Sequence, residues 1–215
     1  MKKLKKILLV GGGGHCKVII DAIRKGKEFE VLGIVDENPD VKEVMGVKVI
    51  GQDKDLSKIF DSGCKNAFIS VGSVGDAGTR IKLGMILRKN GFYLPLIKHV
   101  SAVVAENTVI GGGTFIAAGV TIGPGTTIGD NAIINTASSV DHDCQISDFV
   151  HIAPGATLSG SVKIGQYSHI GTGAAIIERI VIGRSVVIGA GSVVVSDIPS
   201  NNKAFGNPCK IVNKI

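Results

Sequence analysis

The most regular feature of the chain is a spacing of six residues between aliphatic side chains in its second half. Every sixth position from Val104 to Val194 is aliphatic. The residue two places before each of these is nearly always small, and Ile180 is the single large exception. An amphipathic helix repeats every 3.6 residues and a half-buried strand every two, so neither element alone explains a period of six.

The period predicts instead a triangular coil, with three short strands in each turn of eighteen residues. The aliphatic residue would fill the interior, and the small residue would fit beside it near a corner. Glycine often follows the aliphatic residue, and we expect it to supply the backbone freedom that a corner requires. Successive coils would stack by parallel strand pairing about 4.8 Å apart.

The first half of the chain alternates between apolar runs and helical patterns. Strands are predicted for residues 6–10, 30–35, 66–71 and 91–97, and helices for a segment beginning near His15 and for residues 77–90. This alternation is typical of a small doubly wound parallel sheet. We therefore predict a Rossmann-like α/β domain over residues 1–98 and an all-β parallel helix over residues 99–215.

Four consecutive glycines separate the first predicted strand from the helix near His15. Backbone N–H groups at a helix N-terminus bind anions, and parallel sheets bind ligands beyond the carboxyl ends of their strands. Asp36 follows the second strand, where it could accept hydrogen bonds from a ribose or a base. The third glycine of the dinucleotide fingerprint is absent, since Cys16 or Lys17 stands in its place. A single nucleotide or nucleotide-sugar fits this pattern better than a dinucleotide, and a purely structural loop remains open.

Composition and charge exclude several classes. The 44% hydrophobic content excludes a disordered chain. Residues 1–98 carry a net charge of +7 and residues 99–215 a net charge of −1, which suits either an anionic ligand or a solvated lysine surface. No basic patch is interleaved with aromatic residues, so nucleic acid is not an expected partner. The lack of a long apolar run or a signal peptide predicts a cytoplasmic protein with no membrane association. The four cysteines show neither a disulfide framework nor a zinc ribbon.

Three histidines of the repeat are candidates for chemistry. His142 should point outward, between Asp141 and Asp143. A carboxylate beside an imidazole fixes its tautomer and raises its basicity, as a general base requires. A solvated histidine without function is the plainer interpretation. His151 and His169 are eighteen residues apart and should stack as outward-facing side chains, either holding a metal with a ligand from another subunit or lining a groove.

Several segments together resemble one family. They are GGGGHCKVIID, the strand ending at Asp36, SVGS, INTASSVDHDCQISDFVHIAPGATLSGSVKIG and the terminal GNPCKIV, with Cys209 where relatives have alanine. This combination resembles the NeuD/PglD-type sugar acyltransferases of the hexapeptide-repeat superfamily, and it covers essentially the whole chain. The resemblance implies a left-handed parallel β-helix and a homotrimer. It also implies direct acetyl transfer from acetyl-CoA to the amine of a nucleotide-sugar, such as a UDP-linked 4-amino-4,6-dideoxy-sugar. No permanently bound cofactor or metal is implied.

The resemblance also implies roles for particular residues. His142 matches the catalytic base and Asp143 its acidic partner, which is glutamate in some relatives. The acetyl-CoA site would be formed by His151, Gly160, Thr172 and Ala190. The nucleotide-sugar site would be formed by Gly13, Gly14, His15, Asp36 and Gly72.

Three other functions remain open at this stage. The first is O-acetylation of free sialic acid. The second is a metal enzyme resembling γ-carbonic anhydrase, which would recruit His142, His151 and His169. The third is a scaffold or sugar-binding module without catalytic activity.

Overall fold

The computed structural model describes residues 4–214 and shows two compact units. One unit comprises the chain up to Ser73 together with Gly78–Val100. The other comprises Val74–Ala77 and the chain from Ser101 onward. No helix within residues 4–214 has the length and apolar character needed to cross a bilayer.

The first unit is an α/β structure. Its elements are β1 (Lys5–Val10), α1 (Gly14–Gly26), β2 (Phe29–Val35), β3 (Glu43–Val44), β4 (Val47–Gly51), α2 (Leu56–Asp61), β5 (Asn66–Ile69), α3 (Gly78–Lys89) and β6 (Ile97–Lys98). One sheet has the order β3-β4-β2-β1-β5, in which β4, β2, β1 and β5 are parallel and β3 is antiparallel to β4. The chain leaves β1 toward β2 on one side and later returns to β5 on the other. The carboxyl end of β1 is therefore the point where the strand order reverses.

Some predicted elements of this unit are corrected by the structure. Strands β3 and β4 and helix α2 were not predicted, and the strand expected over residues 91–97 is reduced to β6. Pro95 lies inside that segment and has no N–H to give to a sheet. The buried side of α1 includes Cys16 and Ile20, whereas Val18 is exposed.

The second unit is a solenoid of short parallel strands. They are β7 (Val103–Val104), β8 (Val109–Ile110), β9 (Phe115–Ile116), β10 (Thr121–Ile122), β11 (Thr127–Ile128), β12 (Ile133–Ile134), β13 (Ser139–Val140), β14 (Gln145–Ile146), β15 (His151–Ile152), β16 (Thr157–Leu158), β17 (Lys163–Ile164), β18 (His169–Ile170), β19 (Ala175–Ile176), β20 (Val181–Ile182), β21 (Val187–Ile188), β22 (Val193–Val194), β23 (Asn202–Phe205) and β24 (Lys210–Lys214).

These strands form the three faces of a prism. The first face has the order β7-β10-β13-β16-β19-β22, the second β8-β11-β14-β17-β20, and the third contains β9-β12-β15-β18-β21-β23-β24. Among the strands from β7 to β22, paired residues are eighteen positions apart, as Ile134 and Ile152 are, and Ile152 and Ile170. The predicted eighteen-residue coil and the predicted fold class are both confirmed.

The interior of the prism is filled as the repeat predicts. Ile134, Ile152 and Ile170 are completely buried. Most of the small positions are buried too, and several of their hydroxyl groups donate to carbonyl oxygens of neighbouring coils. For example, Ser168 Oγ donates to the carbonyl oxygen of Gly183 (2.7 Å). The core therefore combines aliphatic packing with paired polar groups, as buried hydroxyls require.

The role expected for the glycines after the aliphatic residues is wrong. Positive φ angles recur at every sixth residue from Gly113 to Gly191, two places after those glycines. A Cβ on Gly165 would lie 2.6 Å from the backbone nitrogen of Arg184 in the next coil. Glycine is needed at these positions because two backbones approach closely, rather than for left-handed φ angles.

Candidate active site

His142 lies at the corner where the chain passes from the first face to the second. Its backbone N–H donates to Asp141 Oδ1 (2.7 Å), and its ring Nδ1–H donates to Asp143 Oδ2 (2.8 Å). Asp143 has a φ of 57°, a left-handed conformation that aspartate tolerates better than most residues. The turn thus holds a carboxylate against one ring nitrogen and leaves the other open.

The surroundings of His142 make it a stronger base. The Asp143 hydrogen bond raises the pKa of the imidazole above its ordinary value of 6.5, and the charges of Asp141, Asp143 and Glu178 act in the same direction. Because Nδ1 carries the proton shared with Asp143, Nε2 of the neutral ring holds the lone pair. The side chain is 55% exposed, so Nε2 is accessible to a substrate. These are the properties of a general base.

Gly160 lies against the ring of His142. A Cβ built on this glycine would be 2.6 Å from both Cε1 and Nε2 of the imidazole. The volume that a side chain would fill at position 160 is therefore occupied by the reactive edge of His142. The resemblance implies that Gly160 lies in the acetyl-CoA groove, and the structure places it in direct contact with the imidazole of His142.

Because Asp143 is hydrogen-bonded to His142, we expect its replacement to shift the pH profile of kcat/KM. Replacing Asp143 by asparagine should lower the pKa of His142, so the acid limb of kcat/KM should move to lower pH. The plateau rate should fall about tenfold, because the imidazolium loses its charged partner. The measurement is kcat/KM from pH 5 to 9, with Asp61→Asn, an exposed carboxylate of α2, as the control. An acid limb that stays at the same pH in Asp143→Asn would show that this carboxylate does not set the pKa of the group that titrates there.

His151 and His169 stack on the third face, as predicted. Their ring centroids are 4.9 Å apart, and Asn135 Nδ2 donates to His151 Nε2 (3.1 Å). Both histidines point outward from the prism, and both are nevertheless buried. Phe115 and Ile133 on the same face are buried as well. Burial lowers the pKa of His169 and favours its neutral form.

The three histidines of the metal-enzyme alternative do not converge within one chain. His142 lies at a corner, whereas His151 and His169 lie on the third face. Across residues 4–214, no group of three or more histidine, cysteine or acidic side chains is arranged to hold a metal ion.

Thr172 and Ala190 lie at a different corner from His142. They follow β18 and β21, where the third face turns into the first, and both are exposed. His151 lies on the third face. Within one chain the structure therefore groups His142 with Asp143 and Gly160, and separates these from Thr172 and Ala190 by the width of the first face.

The glycine loop of the α/β unit is held by Asp36. The backbone N–H groups of Gly12 and Asn38 both donate to its carboxylate, the latter at 2.7 Å. Gly13 and Gly14 are exposed, and no atom lies within 4 Å of a Cβ built on either. No side chain caps the N-terminus of α1. Asp36 thus orders a loop with open space beside uncapped helix N–H groups, the arrangement that binds phosphate.

His15 and Gly72 meet beside this loop. A Cβ on Gly72 would lie 3.5 Å from the Cβ of His15, so the segment after β5 contacts the first turn of α1. Burial lowers the pKa of His15 to about 4, and the charge of Arg80 adds to the effect. His15 is consequently neutral near pH 7. The nucleotide-sugar residues implied by the resemblance therefore cluster at the carboxyl ends of β1, β2 and β5.

A cavity of about 250 Å³ lies at the same edge of the sheet, and part of its wall is acidic. Asp36, Glu37 and Asp53 line it together with Lys82. Burial raises the pKa of Asp53, and the charge of Glu37 reinforces the shift. Sequence reasoning missed Glu37 and Asp53, because Asp53 reaches the cavity only through the segment after β4. The net positive charge of residues 1–98 gave no sign of an acidic pocket.

A solenoid of hexapeptide repeats with an exposed histidine, in one chain with an α/β unit that carries an open glycine loop, is typical of acyl-transferring enzymes of the hexapeptide-repeat class. Two family models match the chain. The model of the PglD N-terminal domain matches residues 6–83, and that of the bacterial transferase hexapeptide (six repeats) matches residues 101–136.

Individual proteins give the same result. The chain is 41% identical over 151 residues to GDP-perosamine N-acetyltransferase of Escherichia coli O157:H7, an alignment that covers 70% of this chain and 59% of that protein. A histidine-to-asparagine mutant of perosamine N-acetyltransferase from Caulobacter crescentus, solved with CoA and GDP-perosamine, has a TM-score of 0.93 and 39% identity, covering 99% of each chain. The acetyltransferase domain of PglB from Neisseria gonorrhoeae, solved with acetyl coenzyme A, has a TM-score of 0.87 and 34% identity, covering 98% of this chain and 100% of that one.

The chain belongs to the PglD-type, acetyl-CoA-dependent sugar N-acetyltransferases of the hexapeptide-repeat superfamily. The family resemblance and the left-handed β-helix that it implies are thereby confirmed.

Proposed function

We propose that this protein transfers the acetyl group of acetyl-CoA to the amino group of a nucleotide-linked amino-sugar, with His142 as the general base. The observation that carries the proposal is the 2.8 Å hydrogen bond from His142 Nδ1 to Asp143, which leaves Nε2 open on an exposed side chain. O-acetylation of free sialic acid would leave the ordered glycine loop of the α/β unit without a ligand.

The reaction is a direct transfer. The neutral amine attacks the thioester carbonyl, and the new C–N bond forms as His142 Nε2 accepts a proton from the amine. The C–S bond then breaks, and the proton passes to the departing CoA thiolate. Asp143 stabilises the imidazolium that exists between these two proton transfers. General-base assistance of this kind accelerates reactions by about 10²–10⁴-fold, and positioning supplies much of the remainder.

We further propose that the complete site forms between two copies of the chain in a homotrimer. Within one chain, the corner with His142 is a full face away from Thr172 and Ala190. A groove between neighbouring solenoids would bring the corner with His142 of one copy against the corner with Thr172 and Ala190 of another, with acetyl-CoA between them. Because acetyl-CoA and nucleotide-sugars are cytoplasmic metabolites, we place the reaction in the cytoplasm.

The nucleotide that best fits the acidic cavity is a guanosine diphosphate. Guanine presents two adjacent N–H donors on one edge, which a single carboxylate accepts together, whereas uracil offers one N–H flanked by carbonyl oxygens. Asp36, Glu37 and Asp53 supply such carboxylates. Relatives named for GDP-perosamine support a GDP-linked amino-sugar over the UDP-linked example first expected.

The decisive experiment measures CoA thiol released from acetyl-CoA in the presence of different acceptors. The acceptors are a GDP-linked 4-amino-4,6-dideoxy-hexose, its UDP- and dTDP-linked counterparts, and free sialic acid. Release with the GDP-sugar at the highest kcat/KM supports both N-acetyl transfer and the guanine assignment. A preference for the UDP- or dTDP-sugar keeps N-acetyl transfer but refutes the guanine assignment. Release with sialic acid alone refutes N-acetylation.

Asp36 offers a test of the nucleotide loop. Replacing it by alanine removes both acceptors that order Gly12 and Asn38, and hydrogen bonds to charged groups are worth about 1.5–3 kcal/mol. The acceptor KM should therefore rise about tenfold or more, while the KM for acetyl-CoA stays unchanged. Asp40→Ala, an exposed carboxylate four residues further on, is the matched control. A change in acetyl-CoA affinity would contradict the assignment of separate roles to the two units.

A further inference from the structure

One corner of the solenoid aligns five residues in consecutive coils. They are Glu106, Pro124, His142, Gly160 and Glu178. Backbone hydrogen bonds fix this column: the N–H groups of Asp143, Ser161 and Arg179 donate to the carbonyl oxygens of Pro124, His142 and Gly160 at 3.0, 2.8 and 3.0 Å. Coils stack about 4.8 Å apart, so the backbones of Glu106 and Glu178 each lie about 10 Å from that of His142, on opposite sides.

The imidazole of His142 leans toward only one of these two glutamates. Its Cε1 and Nε2 fill the space that a side chain at Gly160 would occupy. Gly160 belongs to the next coil, which lies between His142 and Glu178. The negative charge of Glu178 raises the pKa of the imidazole, as the charges of Asp141 and Asp143 do. Nε2 therefore lies on the side of the column where Glu178 follows, and Gly160 places no side chain between them.

Glu178 is available to a ligand. Its side chain is 72% exposed, and Arg179 Nη1 lies 3.9 Å from its Oε1, the outer limit of an ion pair. Exposed ion pairs of this kind are weak because water screens the charges, so Arg179 competes little for the carboxylate.

We propose that Glu178 binds the acceptor amino group in its ammonium form beside His142 and so selects amines over hydroxyl acceptors. The inference rests on the proposed function. An arriving ammonium group donates one N–H to Glu178 and another to His142 Nε2. His142 removes that proton and releases it to solvent, which leaves the neutral amine facing the thioester. A hydroxyl group can donate a hydrogen bond to the glutamate but carries no positive charge, so it lacks the charge–charge attraction that holds the ammonium group.

The column contains its own control for this proposal. Glu178→Gln and Glu106→Gln each remove one exposed carboxylate from the same corner, two coils from His142, but only Glu178 lies on the side toward which the ring leans. We expect the acceptor KM to rise about tenfold in Glu178→Gln and to change less than twofold in Glu106→Gln. The KM for acetyl-CoA should be unchanged in both variants. The ratio of amine to hydroxyl acceptor turnover, measured with the matched 4-amino and 4-hydroxy sugars, should fall only in Glu178→Gln.

A second readout does not depend on turnover. NMR titration of His142 should show a lower pKa in Glu178→Gln than in Glu106→Gln. Equal acceptor KM values in the two variants would overturn the proposal, and so would a lower pKa without an effect on KM. If the unmodified enzyme acetylates no amine, the proposed function itself fails, whatever the titration shows.

Discussion

Replacing His142 by alanine should reduce kcat by about 10²–10⁴-fold, the range that general-base catalysis supplies. The Nε2 lone pair is removed, and no other described side chain near this corner offers a neutral base. The affinity for acetyl-CoA should be retained, because His142 is assigned to proton transfer rather than to binding of the donor. Stopped and continuous thiol-release assays give kcat, and calorimetry gives the dissociation constant.

Two controls give this result its meaning. The His142 side chain is half exposed, so the melting temperature should move little, and a large loss of stability would point to misfolding instead. Gln145→Ala, an exposed residue on β14 three positions further on, should retain full activity. Turnover within threefold of the unmodified enzyme in His142→Ala would remove this histidine from the mechanism.

Gly160→Ala should have the second-largest effect, a fall in kcat of about 100-fold with little loss of stability. The added methyl group would overlap the imidazole edge at 2.6 Å. Because that edge is the end of a side chain at an exposed corner, the ring can rotate away and the backbone need not move. The cost therefore falls on the orientation of Nε2, and misplacement of a reacting group by about 1 Å can reduce the rate about 10²-fold.

A double-mutant cycle tests whether this effect acts through His142. Gly160→Ala introduced into His142→Ala should reduce kcat by less than threefold, because no ring remains to displace. If the two losses multiply instead, Gly160 acts elsewhere, for example on bound acetyl-CoA. The structure of Gly160→Ala should show the His142 χ1 or χ2 angle in a different rotamer.

Most of the solenoid could be predicted from the sequence, because aliphatic side chains recur at a constant spacing of six residues. The spacing from Val104 to Val194 gave both the eighteen-residue register and the inward positions. The outward direction of His142 followed from the same spacing. The meaning of the glycines did not follow, since a pattern of small residues cannot distinguish a left-handed turn from a close backbone contact.

The α/β unit was harder to predict for a physical reason. Its elements follow no repeat, and the cavity at the edge of its sheet is assembled from segments distant in sequence. Glu37 and Asp53 reach one cavity only because the unpredicted hairpin of β3 and β4 brings the chain back to the end of β2. The repeat could not predict the burial of His151 and His169 either, because a period indicates which way a side chain points and not what covers it.

The constant register between coils also limits how such a chain can change its length. An insertion of eighteen residues after Glu178 would lengthen the solenoid and leave the column from Glu106 to Glu178 intact. An insertion of six residues between His142 and Gly160 would move each later residue to the next face, so that Gly160 and Glu178 would no longer lie over the base. Viable length variants of this solenoid should therefore differ by whole coils, and a base transplanted eighteen positions along the chain would keep its orientation but meet a different set of neighbours.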